Sequence, residues 1–134
     1  LAGRRLRVKA LLDTHAFLWW DGEPEKLSKS ALALCQDTET TLFLSAASVW
    51  EMQIKIQLGK LKIDLPLSDL IRQQEENGIV VLTVHVSHTL EISNLPLHHK
   101  DPFDRLLMAQ ARVEEMVFIS ADPVVAHYPV EVIW

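Results

Sequence analysis

Four carboxylates spread along the chain, Asp13, Glu51, Asp104 and Asp122, are the residues with the most chemistry to offer. Acids gathered into one pocket repel one another, titrate as a coupled set, and take up protons or divalent cations to relieve the repulsion. No Lys or Arg adjoins Asp13 or Asp122 in the sequence, so a bound cation is the partner a convergent acid group would require. Each acid also has a structural explanation. Asp101-Pro102-Phe103-Asp104 reads as a helix N-cap, a Pro at the first helical position and an acid in the first turn. Ser48-Val49-Trp50-Glu51 is a capping-box sequence, Glu51 can pair with Lys55 at i, i+4, and Asp13 and Asp122 suit strand-end turns. Taken singly, the structural explanation prevails for each. Taken together the four favour a metal site, Asp13 most of all, because it sits between an apolar strand and the nonpolar start of the next helix, where an unpaired charge is costly.

The elements that must position these acids follow from the hydrophobic pattern. Five short apolar runs, Val8–Leu12, Thr41–Leu44, Ile79–Val84, Met116–Ile119 and Val130–Trp134, read as strands, several of them continuously apolar as strands covered on both faces are. Between them Trp50, Ile54 and Leu58 repeat at helical spacing, Leu67, Leu70, Ile71 and Gln74 form a second segment stopped by Asn77-Gly78, and a third helix runs from Pro102 through Glu115. Strand alternating with helix predicts an α/β protein, a three-layer α/β/α sandwich with a mainly parallel central sheet. In such a sheet, ligands bind at the carboxyl ends of the strands. Asp13 and Asp122 end the first and fourth strands, and Glu51 lies about one turn into the helix after the second. Asp104 belongs to a helix that precedes its strand, so only the longer loop before it can bring it to the same edge. The chain has neither G-x-G-x-x-G nor G-x-x-x-x-G-K-[ST], which removes the usual nucleotide cradles.

The bulk numbers fit one domain over residues 1–134: 49% hydrophobic and 23% charged is ordinary globular composition. Cys35, the one cysteine, lies in an apolar helical stretch and reads as packing. No apolar run approaches a bilayer span and the start lacks a secretion signal, so the expected location is cytoplasmic, without membrane contact. Residues 1–7, basic and without an initiating Met, read as a flexible or non-native arm. The net charge of −5 speaks against holding nucleic acid by a general basic surface, an objection that weakens if several negative charges surround cations.

The segments Leu11-Leu12-Asp13-Thr14-His15, Ser45 to Glu51, His99-Lys100-Asp101-Pro102-Phe103-Asp104-Arg105-Leu106-Leu107 and Ile119-Ser120-Ala121-Asp122 resemble the PIN domain family, in particular VapC-type toxins of prokaryotic toxin–antitoxin pairs. The resemblance runs in order from about Val8 to Trp134. It implies a Mg2+- or Mn2+-dependent endoribonuclease with Asp13, Glu51, Asp104 and Asp122 as catalytic metal ligands, and Thr14 and Ser120 in support. It also implies a cognate antitoxin and a homodimer. Asp101 stands outside the core set as helix cap or supporting residue. Lys55, Lys60, Arg105 and Arg112 are candidates to meet RNA phosphates, and Trp19, Trp20, Trp50 and Trp134 are candidates to stack on bases, with core or dimer packing the first reading for most of them. His85 and His88, at i, i+3, lack the further ligands of a zinc pattern. Two other readings use the same acids: a noncatalytic binding module on this fold, and a receiver- or phosphatase-like phosphotransfer domain. The second is disfavoured because His15 stands where a phosphatase carries its second Asp and the last strand, ending at Trp134, offers no Lys.

Overall fold

A computed structural model describes residues 7–98 and 101–134. Five strands, β1 (Val8–Leu12), β2 (Thr40–Ser45), β3 (Val80–Leu82), β4 (Val117–Ile119) and β5 (Val132–Ile133), form one sheet in the order β3-β2-β1-β4-β5. Every pairing is parallel, with Leu12 opposite Leu44 on one side and Ile119 on the other. All five apolar runs are strands, shortened at the third and fifth where turn residues take over. The chain builds outward from β1 in one direction and then restarts beside β1 with β4. This change of direction leaves a crevice between the ends of β1 and β4, where an open α/β sheet binds its ligand.

Six helices cover the sheet: α1 (Thr14–Gly22), α2 (Lys29–Gln36), α3 (Ala46–Gln57), α4 (Leu67–Glu76), α5 (Val86–Glu91) and α6 (Pro102–Val113). Strand side chains alternate between faces, and two cores result. Ala10, Leu12, Leu42, Leu44 and Ile119 pack with Ala16, Phe17, Ala31, Met52 and Leu70. Leu11 and Phe118 pack on the other face with Leu107, Met108 and Ala111 of α6. The architecture is therefore a three-layer α/β/α sandwich with a parallel sheet. Each fully buried Leu or Phe contributes about 1.5–3 kcal/mol, so Leu11 and Leu12 of β1, one in each core, are costly to truncate. Cys35 belongs to the first core as an unpaired thiol, and burial pushes its pKa up to about 11. Gly78, at φ +101°, makes the left-handed turn that ends α4 as expected, with Ile79 N–H returning to the Gln74 carbonyl.

Two local expectations are corrected. The spacing of Trp50, Ile54 and Leu58 marks the outer face of α3: Trp50 and Leu58 are both 63% exposed, while Ala47, Ser48, Glu51 and Met52 are buried. The inward face faces polar neighbours as well as the core, so the apolar stripe was a misleading guide to its direction. The capping box at Ser48 is not formed either. Ser45 caps α3 by accepting from Ala47 N–H, and Ser48 lies inside the helix, hydrogen-bonded to Thr14. The segment after β3 contains α5, whose His85 and His88 serve structure: the His85 N–H donates to His88 Nδ1, and His88 Nε2 is 2.7 Å from Glu114. Most of the arm expected over residues 1–7, together with His99 and Lys100, lies outside the described residues.

Candidate active site

At the crevice the chain makes an open pocket of about 470 Å³, and Asp13, Glu51, Asp101, Asp104 and Asp122 all line it. A larger cleft of about 620 Å³ at Thr40, Gln74 and Cys35 has mostly neutral polar walls and no comparable gathering of acids. Chemistry, not size, singles out the crevice.

Asp13 follows the last residue of β1. Its N–H extends the ladder to the Ile119 carbonyl at 3.0 Å, and its Oδ1 then caps α1 by accepting from Ala16 N–H at 2.7 Å. Only 8% of the residue is exposed. Burial raises its pKa above the ordinary aspartate value; hydrogen bonds from the Ser120 side chain and the Ala16 amide, and the nearby His15, pull the other way, while Glu51 adds to the rise. Ionised Asp13 is thus short of compensation, the condition a cation would relieve.

Glu51 is gripped at both oxygens. Thr14 Oγ1 hydrogen-bonds Oε1 at 2.7 Å and Ser48 Oγ at 3.0 Å, and Lys55 Nζ sits 2.8 Å from Oε2. The expected i, i+4 pair is therefore made, and Lys55 itself lines the pocket. Ser120 is buried between two acids: it bonds Asp13, and its Oγ accepts from Asp122 N–H at 3.2 Å. Asp122 in turn caps the short helical turn Pro123–His127 through Val124 N–H at 2.9 Å. Asp101 caps α6, accepting from Phe103 and Asp104 N–H groups at 2.8 and 3.3 Å, and so fixes the first turn that carries Asp104.

Arg105 goes elsewhere. Its guanidinium donates to the carbonyls of Pro96 and Ile92 at 2.7 and 3.3 Å and reaches the Tyr128 hydroxyl at 3.4 Å, tying α6 to the loop before it. Arg112 is similarly committed to Glu91 and the Pro129 carbonyl. Neither arginine lines the pocket, nor does Lys60. His15, which sequence reasoning passed over as a site residue, lines it, and so does Trp19 from the set of tryptophans named there; the two form an i, i+4 aromatic pair directly after Asp13-Thr14.

A model of the PIN domain matches residues 10–131. The chain belongs to the PIN domain family. It is 28% identical over 104 residues to Ribonuclease VapC22 of Mycobacterium tuberculosis, covering 75% of this chain and 77% of that relative. Its fold is similar to that of VapBC2 from Rickettsia felis bound to a promoter DNA fragment, with a TM-score of 0.68 at 12% identity over 94% of this chain and 98% of that one. FitAcB from Neisseria gonorrhoeae gives a TM-score of 0.61 at 16% identity, covering 93% and 96%. At such identities these two likenesses speak for the PIN fold alone. The fold places the acids of this PIN domain where its sheet order opens.

The donor set suits a hard divalent ion, since carboxylate oxygens favour Mg2+ and Mn2+ over softer metals. Among the described residues no three acidic, His or Cys groups converge closely enough to hold an ion by protein donors alone. Mg2+ keeps several waters and is commonly held by only one or two carboxylates.

Proposed function

We propose that this PIN domain is a Mg2+- or Mn2+-dependent endoribonuclease, the toxin of a toxin–antitoxin pair, hydrolysing RNA phosphodiester bonds at the Asp13, Glu51, Asp104 and Asp122 pocket. The observation that carries the proposal is the lining of one crevice by four acids from four separate segments, buried Asp13 among them. The name of the M. tuberculosis relative supports ribonuclease chemistry, and the names of the VapBC structures support an antitoxin partner. A bound divalent ion would supply Lewis acidity and a water of lowered pKa.

The chain's own residues do the rest. Asp13, with Asp104 or Asp122, holds the ion; Thr14 and Lys55 fix the direction of the Glu51 carboxylate; Ser120 keeps Asp13 and Asp122 at constant separation. Pre-set carboxylates of this kind cost no reorganisation when charge develops on the phosphate. Arg105 acts as a strut for α6 in this scheme. Lys55 is the cation best placed to meet an RNA phosphate, on exchanging partners with Glu51. Homodimerisation belongs to the same proposal: Trp50 of α3 and Val86 and Leu90 of α5 are large apolar side chains left more than 60% exposed.

The test is cleavage of structured RNA by purified protein with Mg2+ or Mn2+, with EDTA, and with Asp13→Asn and Asp104→Asn. Cleavage that needs metal and is lost in both variants is expected. Equal cleavage by wild type and variants would overturn the proposal.

A further inference from the structure

The pocket has an aromatic wall. His15 and Trp19 line it together with the acids, their ring centroids 5.7 Å apart and planes inclined by 32°. Trp134 continues the row, 5.6 Å from Trp19 and 38% exposed. The same His15 and Trp19 form one side of the neighbouring groove of about 430 Å³, so the row joins the two depressions. These rings lie next to the chemistry. Trp19 packs partly against the core, which fixes its plane, while His15 is exposed.

Electrostatics limits what this wall can hold. The chain carries a net charge of −5, its acids crowd the pocket, and the adjoining groove holds Asp21, Glu23 and Asp64 against Lys62. Among the described residues lining the two depressions, Lys55 and Lys62 are the only lysines or arginines, so counterion release by a basic stripe, the usual source of nucleic-acid affinity, has little to work with there. A nucleobase has no net charge to be repelled, and stacking on an aromatic side chain contributes about 1–3 kcal/mol per base irrespective of sequence. An arginine side chain is the competing occupant, since it too is drawn to acids and ring faces. Divalent metal would neutralise the acids and weaken that attraction while leaving stacking intact.

We propose that His15, Trp19 and Trp134 form a stacking shelf that grips an unpaired base of the RNA beside the phosphate to be cleaved, so that this PIN domain anchors its substrate by bases more than by phosphates. The proposal rests on the ribonuclease reading for its substrate. It assigns these residues to substrate positioning, with no part in the bond-breaking step. Single-stranded or looped RNA is then the preferred form, because a base in a duplex has no free face.

The experiment has two arms. In the first, a short single-stranded oligoribonucleotide of mixed sequence is bound, with Mg2+, to the full chain carrying Asp104→Asn, and tryptophan fluorescence is read. In the second, cleavage kinetics are compared for wild type, His15→Ala, Trp19→Ala and Trp19→Phe on that oligonucleotide and on copies with one abasic nucleotide beside the cleaved bond. The expected results are quenching that depends on Trp19 and a KM raised roughly 10- to 100-fold in Trp19→Ala with kcat little changed. Trp19→Phe should recover most of the loss, and the abasic and Trp19→Ala penalties should be non-additive. His15 is exposed, so His15→Ala tests the shelf even if Trp19→Ala fails to fold. Additive penalties, unchanged KM in folded His15→Ala and Trp19→Ala, or variants that keep RNA and lose an arginine-containing peptide would overturn the proposal. Quenching without any cleavage would keep the shelf and remove the nuclease reading; cleavage without dependence on the rings would do the reverse.

Discussion

Replacing Asp13 by Asn separates the cost of its charge from the benefit of a metal. Asn keeps the side-chain oxygen that caps α1, and Asn and Asp are about equally good N-caps. The change therefore removes charge and little else. Because burial raises the folded-state pKa of Asp13 above its unfolded value, the folded protein binds the extra proton between the two values, and stability falls as pH rises through that window. At neutral pH the metal-free wild type bears a penalty of this sign and Asp13→Asn escapes it. Metal-free Asp13→Asn should accordingly melt higher than wild type at pH 7, with the difference vanishing below the ordinary aspartate range. Metal reverses the ranking. At a concentration 100 times its Kd, an ion that binds only the folded state adds about 2.7 kcal/mol, roughly 10 °C in Tm for a domain of this size. Wild type should gain that shift with Mg2+ or Mn2+, and Asp13→Asn should gain almost none. Differential scanning calorimetry in EDTA and across a metal titration measures both. A metal-free Asp13→Asn less stable than wild type would refute the burial argument, and an undiminished metal shift in the variant would refute Asp13 as a ligand.

Ser120→Ala removes the hydroxyl shared by Asp13 and Asp122 and should cost about 1–2 kcal/mol in a urea titration while lowering kcat, because it frees two acids at once. Lys55→Met should change stability by less than about 0.5 kcal/mol, the scale of a part-exposed helix pair, yet lower the metal concentration for half-maximal cleavage by releasing Glu51. Arg105→Ala should destabilise by about 1–3 kcal/mol and leave the KM for RNA nearly unchanged; a large KM effect in folded protein would restore it as a phosphate contact.

The legible part of this molecule is what period and punctuation encode. Five apolar runs became five parallel strands, Asn77-Gly78 stopped α4, and Asp101-Pro102 started α6. These signals are local, and tertiary packing agreed with them. The direction of α3 was not legible, since Trp50 and Leu58 face outward while Glu51 and Ser48 face in. A helix bordering a polar pocket turns polar residues inward, and periodicity alone cannot distinguish that face from a solvated one. Arg105 and Arg112 misled for a related reason. A guanidinium reads as a phosphate contact in sequence, but its five donors serve equally well to satisfy loop carbonyls that have no strand or helix partner.

The opposition between cap and ligand, natural when each acid is considered alone, dissolves in the fold. Asp13, Asp101 and Asp122 each accept backbone N–H groups at the start of a helical segment, and all three line the same pocket. A parallel sheet sends its chain into a helix at the carboxyl end of each strand, so caps and ligand site arise at one edge for one topological reason. Amides at a helix start also stabilise negative charge, by about 0.3–1 kcal/mol per exposed site, which offsets part of the repulsion among neighbouring acids before any cation arrives. Capping by backbone amides helps fix the direction of each of these carboxylates. A lysine or arginine in that place would compete with metal, as Lys55 does at Glu51, whereas a backbone amide stabilises the carboxylate and leaves the pocket net negative. The caps are thus the device by which this fold orients several acids at one edge of the sheet.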